Sequence, residues 1–311
     1  MKRFIKIFFW GLLLFSITSC IKQESFTESI YVDEVELDPG AVTYPFDKWL
    51  HDNYLIPYNI DFRYTLQGVN SDISYNLVPT SIDNSVNVAI LIKYLWFDAY
   101  ATVVSEDFLK QYGPRIIQLI GSAAYNPSLG TKILGTAEGG IQVTIYQCNQ
   151  MATDPIDIDS LNEYCFKTMH HEFGHILQQH KTYPAVFDSY SAGQYDPTGW
   201  QNRTAVQAAV LGFVSPYAGM EPGEDWVEVI ANYIVKSDAQ WKNILNMAAS
   251  QRGPLPMRGD SIIMTKLDLC RKWLDEAWKI DVDALHKEVT NRQNYIGDAL
   301  TQGRIDIYGT N

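Results

Sequence analysis

The run His170-His171-Glu172-Phe173-Gly174-His175 contains the pattern H-E-x-x-H, formed by His171, Glu172 and His175. Two histidines four apart on a helix are separated by about 400° of rotation, so they lie about 40° apart on one face. Both imidazoles then reach one ion, and a zinc ion suits nitrogen donors of this kind. Glu172 sits on the flank of the same face, where a carboxylate can take a proton from a water at the metal. A bare pentapeptide also occurs by chance on amphipathic helices, so the surrounding residues have to carry part of the argument.

Those residues predict a helix over 160–180. Ser160 and Glu163 have the spacing of an S-x-x-E capping box. Asp154, Asp157 and Asp159 precede it and complement the positive end of a helix dipole. Cys165, Met169, Phe173 and Ile176 fall roughly opposite the two histidines, so one face packs on a core while the other holds metal.

A catalytic zinc takes three protein ligands and keeps a position open. His180 is near, but a continuing helix turns it about 140° away from His175. The long metzincin motif fails as well, because its glycine and third histidine are replaced by Gln178 and Lys181. Glu224 and Glu228 are four apart on the next clear helical pattern, 49 and 53 residues beyond His175 (224 − 175 and 228 − 175). One can be a ligand and the other a partner for a histidine N–H. By themselves, two acids at a helix start read better as a solvated N-terminus.

The elements around these residues form a mixed chain. The pattern gives a short helix over 45–53, a strand over 58–66 and a long apolar helix over 85–104, with further helical turns over 105–112. Strands are expected over 116–123, 131–135 and 141–146, with a turn at Asn126-Pro127. The alternation in Ile141-Gln142-Val143-Thr144-Ile145-Tyr146 predicts one buried face, on a strand either bordering the cleft or interior. A segment rich in Gly, Pro, Ser, Tyr and Asn follows, over 180–220, long enough to form a cleft wall. Helices are expected over 224–236, 239–249, 261–280 and 282–299. The fold class is α+β, with a mixed lobe over about 43–180, a mainly helical lobe over about 181–311, and the H-E-x-x-H helix between them.

Composition bounds the rest. Hydrophobic residues make up 46% of the 311, with 19 tyrosines and 8 tryptophans, enough for a substantial core. The net charge is −12, from 24 Lys and Arg against 36 Asp and Glu. Such a surface repels nucleic acid and anionic headgroups.

Residues 1–20 read as a targeting segment. Lys2, Arg3 and Lys6 precede the apolar run Ile7–Phe15, and Ile17-Thr18-Ser19-Cys20 follows. The run is short for a membrane span. The segment resembles a bacterial lipoprotein signal, which makes Cys20 the lipidated first residue and 21–42 a polar tether. Cys148, Cys165 and Cys270 remain, an odd set without C-x-x-C, so at most one disulfide is expected and no thiolate at the metal.

The block Tyr217-Ala218-Gly219-Met220-Glu221-Pro222-Gly223-Glu224-Asp225-Trp226-Val227-Glu228, following H-E-F-G-H, resembles the gluzincin metallopeptidases, in particular the lethal-factor-like members. That resemblance implies a zincin-like fold, Glu224 as third zinc ligand, Tyr217 as donor to the reacting oxyanion and Glu228 behind a ligand. With the signal segment and Phe213-Val214-Ser215-Pro216-Tyr217, most of the chain is similar to zinc-metallohydrolase lipoproteins associated with Sus-type outer-membrane nutrient importers. The expectation is a zinc-dependent hydrolase of peptides or proteins, lipid-anchored at the cell envelope, with an importer as partner. The alternative is a non-catalytic binding lipoprotein of such an importer with a structural zinc. A zinc amidase acting on another amide shares the same chemistry.

Overall fold

A computed structural model describes residues 37–66, 76–125, 132–133, 135–138, 140–151 and 155–310. The signal pattern with Cys20, most of the tether and the turn at Asn126-Pro127 lie outside the described residues. From Gly40 onward the chain is one compact unit of mixed α and β structure.

Strands β1 (Asp61–Arg63), β2 (Ile116–Leu119), β3 (Ala124–Tyr125), β4 (Lys132–Ile133), β5 (Gly135–Glu138) and β6 (Gln142–Ile145) form two sheets. In the larger, the order is β1-β2-β6-β5. β1, β2 and β6 run parallel, with Ile116 opposite Gln142, and β5 is antiparallel to β6, with Thr136 opposite Thr144. The smaller sheet pairs β3 with β4.

The alternation over 141–146 misleads about burial. β6 is interior and all four of its residues are buried, as befits a strand paired on both sides and covered on both faces. Its polar members are satisfied inside, Gln142 Nε2 donating to Thr144 Oγ1 at 3.0 Å. The edge beside the H-E-x-x-H helix belongs to β5 instead. A Cβ on Gly135 would lie 2.2 Å from Thr168 Cγ2, so only glycine allows this approach.

Helices α1 (Tyr44–Leu50), α2 (Ile82–Ile92), α3 (Lys167–His180), α4 (Pro222–Val235), α5 (Asp238–Ala249), α6 (Gly259–Trp278), α7 (Val282–Gln293) and α8 (Ile296–Tyr308) carry most of the rest, with shorter helical pieces such as Glu106–Tyr112 and Ala205–Val210 between them. α2 starts on Ser81, whose hydroxyl accepts from the Asn84 N–H. It continues through a wide π turn at Lys93–Phe97 into Asp98–Val103. Trp96 and Phe97 are fully buried there. The long apolar helix is thus a core element.

The helix expected over 282–299 is two helices. Asn294 turns its side chain onto the Thr290 carbonyl at 3.3 Å, and the chain breaks at Tyr295. The break sends α8 back onto α2, where Arg304 donates to Asn87 Oδ1 at 2.6 Å. The C-terminal helices therefore close against the first ones.

The start of the metal-helix region also differs from the expected capping box. Asp157 is the cap, accepting the Ser160 N–H at 3.1 Å, and Ser160 sits inside the first turn. Glu163 reaches forward to Lys167 instead of back to a cap. A π turn at Asn162–Phe166 leads into α3. Such turns recur beside functional sites. Cys165, Met169, Phe173 and Ile176 are buried as the periodicity requires.

α3 and α4 pack at a very short distance. A Cβ on Gly174, the glycine of H-E-F-G-H, would stand 2.9 Å from Val227 Cγ1. The N-terminal part of α4 is pinned from behind by Lys266 of α6, whose ammonium donates to Asp225 at 2.5 Å, Ser191 at 2.7 Å and the Gly212 carbonyl at 2.9 Å. Lys266 and Asp225 side chains are both fully buried, a pair that is tolerable inside only because each charge is bonded.

Candidate metal centre

α3 presents His171 and His175 on one face, with their Nε2 atoms 3.1 Å apart. α4 brings Glu224 Oε2 to 3.0 Å from His171 Nε2 and 3.5 Å from His175 Nε2. One ligand atom from each of the three lies within 4.8 Å of the others. Glu224 Oε2 is buried and has no hydrogen-bond donor. Two imidazole nitrogens and an orphaned carboxylate oxygen aimed at one point fit a divalent cation of the zinc type.

The charges agree. Burial disfavours the His171 imidazolium, but Glu224 and Glu228 outweigh it and lift His171 to about 10. Burial likewise opposes the Glu224 carboxylate, yet His171 and His175 draw it down to about 2. The cluster favours positive charge at its centre, which a proton or a metal can supply.

Each histidine is oriented from behind. Glu228 Oε1 accepts the Nδ1–H of His171 at 3.0 Å. The other oxygen of Glu228 accepts from Ser215 Oγ at 2.5 Å and Asn232 Nδ2 at 3.1 Å. Burial opposes the Glu228 charge, but Lys167, His171 and Ser215 hold its carboxyl well below the usual range. The Gln178 amide lies 2.8 Å from His175 Nδ1. Its Oε1 is otherwise without a partner, and turning the amide lets that oxygen accept the Nδ1–H.

The cluster opens into a cleft of about 500 Å³ with Glu172, Tyr164, Lys167, Trp200, Tyr217 and Met220 on its walls. Glu172 is 7% exposed, and burial pushes its carboxyl up, as suits a proton acceptor. The Tyr217 ring lies 5.7 Å from that of His171, and Trp200 packs edge-on against it at 4.9 Å. Burial, Glu224 and Glu228 push the Tyr217 phenol far up, so it keeps its proton.

The residues expected at the site, His171, Glu172, His175, Tyr217, Glu224 and Glu228, are thus brought together. His180 is at the helix end with its ring against Tyr112, 6.2 Å away, and is not in the cluster. His170 faces Tyr100 in the core, where burial lowers it to about 3. Cys148, Cys165 and Cys270 are buried, free thiols, so no disulfide joins them and none is near the ligand set. The sequence alone assigns no role at the site to Gln178, Ser215, Asn232 or Trp200. Gln178, three residues after His175, and Asn232, four after Glu228, carry a spacing signal, whereas Ser215 and Trp200 carry none.

No match was found among curated proteins. A crystal structure from Bacteroides caccae ATCC 43185, described as "a putative zinc-binding metallo-peptidase", is similar at a TM-score of 0.69 and 42% identity, over 87% of this chain and 97% of that one. The model of the family described as "Putative zinc-binding metallo-peptidase" matches residues 41–283. A partly buried two-histidine, one-carboxylate cluster beside a cleft is the kind of centre a zinc peptidase requires, and this chain belongs to that zinc-binding metallo-peptidase family.

Proposed function

We propose that this zinc metallopeptidase works as a gluzincin, with His171, His175 and Glu224 as its zinc ligands and Glu172 as general acid–base. One observation carries the reading: His171 Nε2, His175 Nε2 and an undonated Glu224 oxygen converge beside a buried carboxyl in an open cleft. Zinc held there supplies a Lewis acid for the scissile carbonyl and lowers the pKa of a water. Glu172 takes the proton from the attacking water and passes it to the leaving amine. The Tyr217 phenol donates to the oxyanion as charge develops. Glu228 and Gln178 hold the two imidazoles in the tautomer that leaves Nε2 free.

The test is cleavage of a peptide library with and without chelator, repeated with Glu172→Gln. Chelator-sensitive cleavage that drops by roughly 10²–10⁴ in the variant, with zinc retained, is the expected result. No cleavage by the wild type, with zinc bound, points instead to a binding protein with a structural zinc.

We also propose attachment to the outer membrane through a lipid on Cys20. The basic start, the apolar run and Ile17-Thr18-Ser19-Cys20 support it, and association with a nutrient importer rests on the family resemblance alone. Fatty-acid labelling that persists in Cys20→Ser rules the anchor out.

A further inference from the structure

We infer that the cleft selects peptides carrying a carboxylate one or two residues from the scissile bond, and that Lys167 reads it. The inference rests on the peptidase reading above and names its substrate class. Lys167 is one turn before His171 on α3, so it lies on the same face, about 6 Å along the helix axis. An extended peptide advances about 3.3 Å per residue, so that distance spans about two residues of substrate.

The surroundings favour an anionic guest at this place. Lys167 lines the cleft together with His171 and Glu172, and its side chain is 14% exposed. Glu163 touches the ammonium at 3.3 and 3.4 Å, well beyond the roughly 2.7–2.9 Å of a tight charge-assisted bond. The Glu163 side chain is itself half exposed. An ammonium has three protons to donate, so a substrate carboxylate can join or replace Glu163. Lys132 stands on the wall of the same cleft and is exposed. Two lysines are thus set into the reaction cleft of a chain whose net charge is −12. The chain's general repulsion of acidic peptides is screened beyond about 8 Å at physiological salt. The other acids on the cleft wall are engaged: Glu228 is hydrogen-bonded to His171, Ser215 and Asn232, with the Lys167 charge adding to the field that holds it ionised, and Glu172 is assigned the proton transfer. Ile133, Trp200 and Met220 make the walls apolar, which strengthens an ion pair formed between them.

The carboxylate has two sources, an Asp or Glu side chain or the free C-terminus of a short peptide. Matched peptides with Glu, Gln or Lys at each position flanking one scissile bond, each as free acid and as amide, separate them. The wild type should favour the Glu or free-acid forms by roughly 10–100-fold in kcat/KM. The ratio of acidic to neutral cleavage should collapse in Lys167→Met, return in Lys167→Arg and invert toward Lys-containing peptides in Lys167→Glu. A wild-type preference for neutral or basic peptides, or a ratio unmoved by Lys167→Met, overturns the inference. If the wild type cleaves none of them, the peptidase reading fails, and calorimetric binding of the same peptides to zinc-loaded Glu172→Gln protein then decides. Acid-selective binding that depends on Lys167 sustains the carboxylate site, and its absence removes it.

Discussion

Glu228 Oε1 accepts a hydrogen bond from Nδ1 of His171 at 3.0 Å, across 57 residues of sequence. With Nδ1 committed, His171 has only Nε2 to offer, and that atom is the one facing His175 and Glu224. The bond also ties α3 to α4 at the level of the ligands.

His171→Ala, His175→Ala and Glu224→Ala should each lose most of the bound zinc, measured by metal analysis of dialysed protein. Undiminished zinc in Glu224→Ala would transfer the third-ligand role to another side chain.

Glu228→Ala should bind zinc about 10–100-fold more weakly, the usual effect of losing the partner behind a ligating histidine. Competition with a chromogenic chelator measures it. Ser215→Ala should produce a smaller shift in the same direction, because its hydroxyl reaches the ligands only through Glu228. Equal affinity in Glu228→Ala and wild type would leave the carboxylate a packing role only.

Tyr217→Phe should keep zinc and thermal stability while cleavage slows by about 10²–10³, the loss expected for one oxyanion donor. The ring keeps its packing against Trp200 in the variant, so a merely structural tyrosine would show near wild-type turnover.

A pH effect is expected away from the site. Burial opposes the Asp283 charge, but Arg271 and Tyr233 outweigh it and hold the carboxyl below 3.8. Arg271 Nη2 donates to Asp283 at 2.8 Å, and Tyr233, on α4, donates to the same oxygen. A lowered folded-state pKa contributes stability that is present above the unfolded value and lost as pH falls through the folded one. The Asp283 side chain is 45% exposed, so the contribution is under about 1 kcal/mol. Asp283→Asn should be slightly less stable at neutral pH, with the difference closing as the pH falls through the lowered folded-state value in denaturant titrations. A difference that grows in acid would contradict this assignment.

Much of the metal centre was legible because its geometry is local. His171, Glu172 and His175 share one helix face, and helical period alone places them. Glu224 and Glu228 needed more: their spacing showed one helix face, but nothing in the sequence shows that α4 docks on α3. The resemblance supplied that pairing, and Gly174 against Val227 is its physical trace. The partners Ser215 and Trp200 come from an irregular segment whose path is set by tertiary contacts, which periodicity does not encode. Strand 142–145 was found but its burial was misjudged, because Gln142 and Thr144 satisfy each other inside and look, in sequence, like a wetted face. The capping residue was misplaced by three positions, since Asp157 and Ser160 both have the chemistry and only the backbone of residue 157 has the extended conformation a cap requires.

The clearance at Gly174 has a consequence for how activity appears in time. The proposed ligand triangle has two corners on α3 and one on α4, and it closes only when the helices meet at a separation that leaves no room for a methyl group between Gly174 and Val227. A nascent or damaged chain with those helices apart holds two imidazoles and a distant carboxylate. It therefore has no complete seat for the ion and no means of attacking its neighbours' peptide bonds. Under the ligand assignment proposed above, hydrolytic competence would therefore depend on the packing of these two helices as well as on the H-E-x-x-H motif.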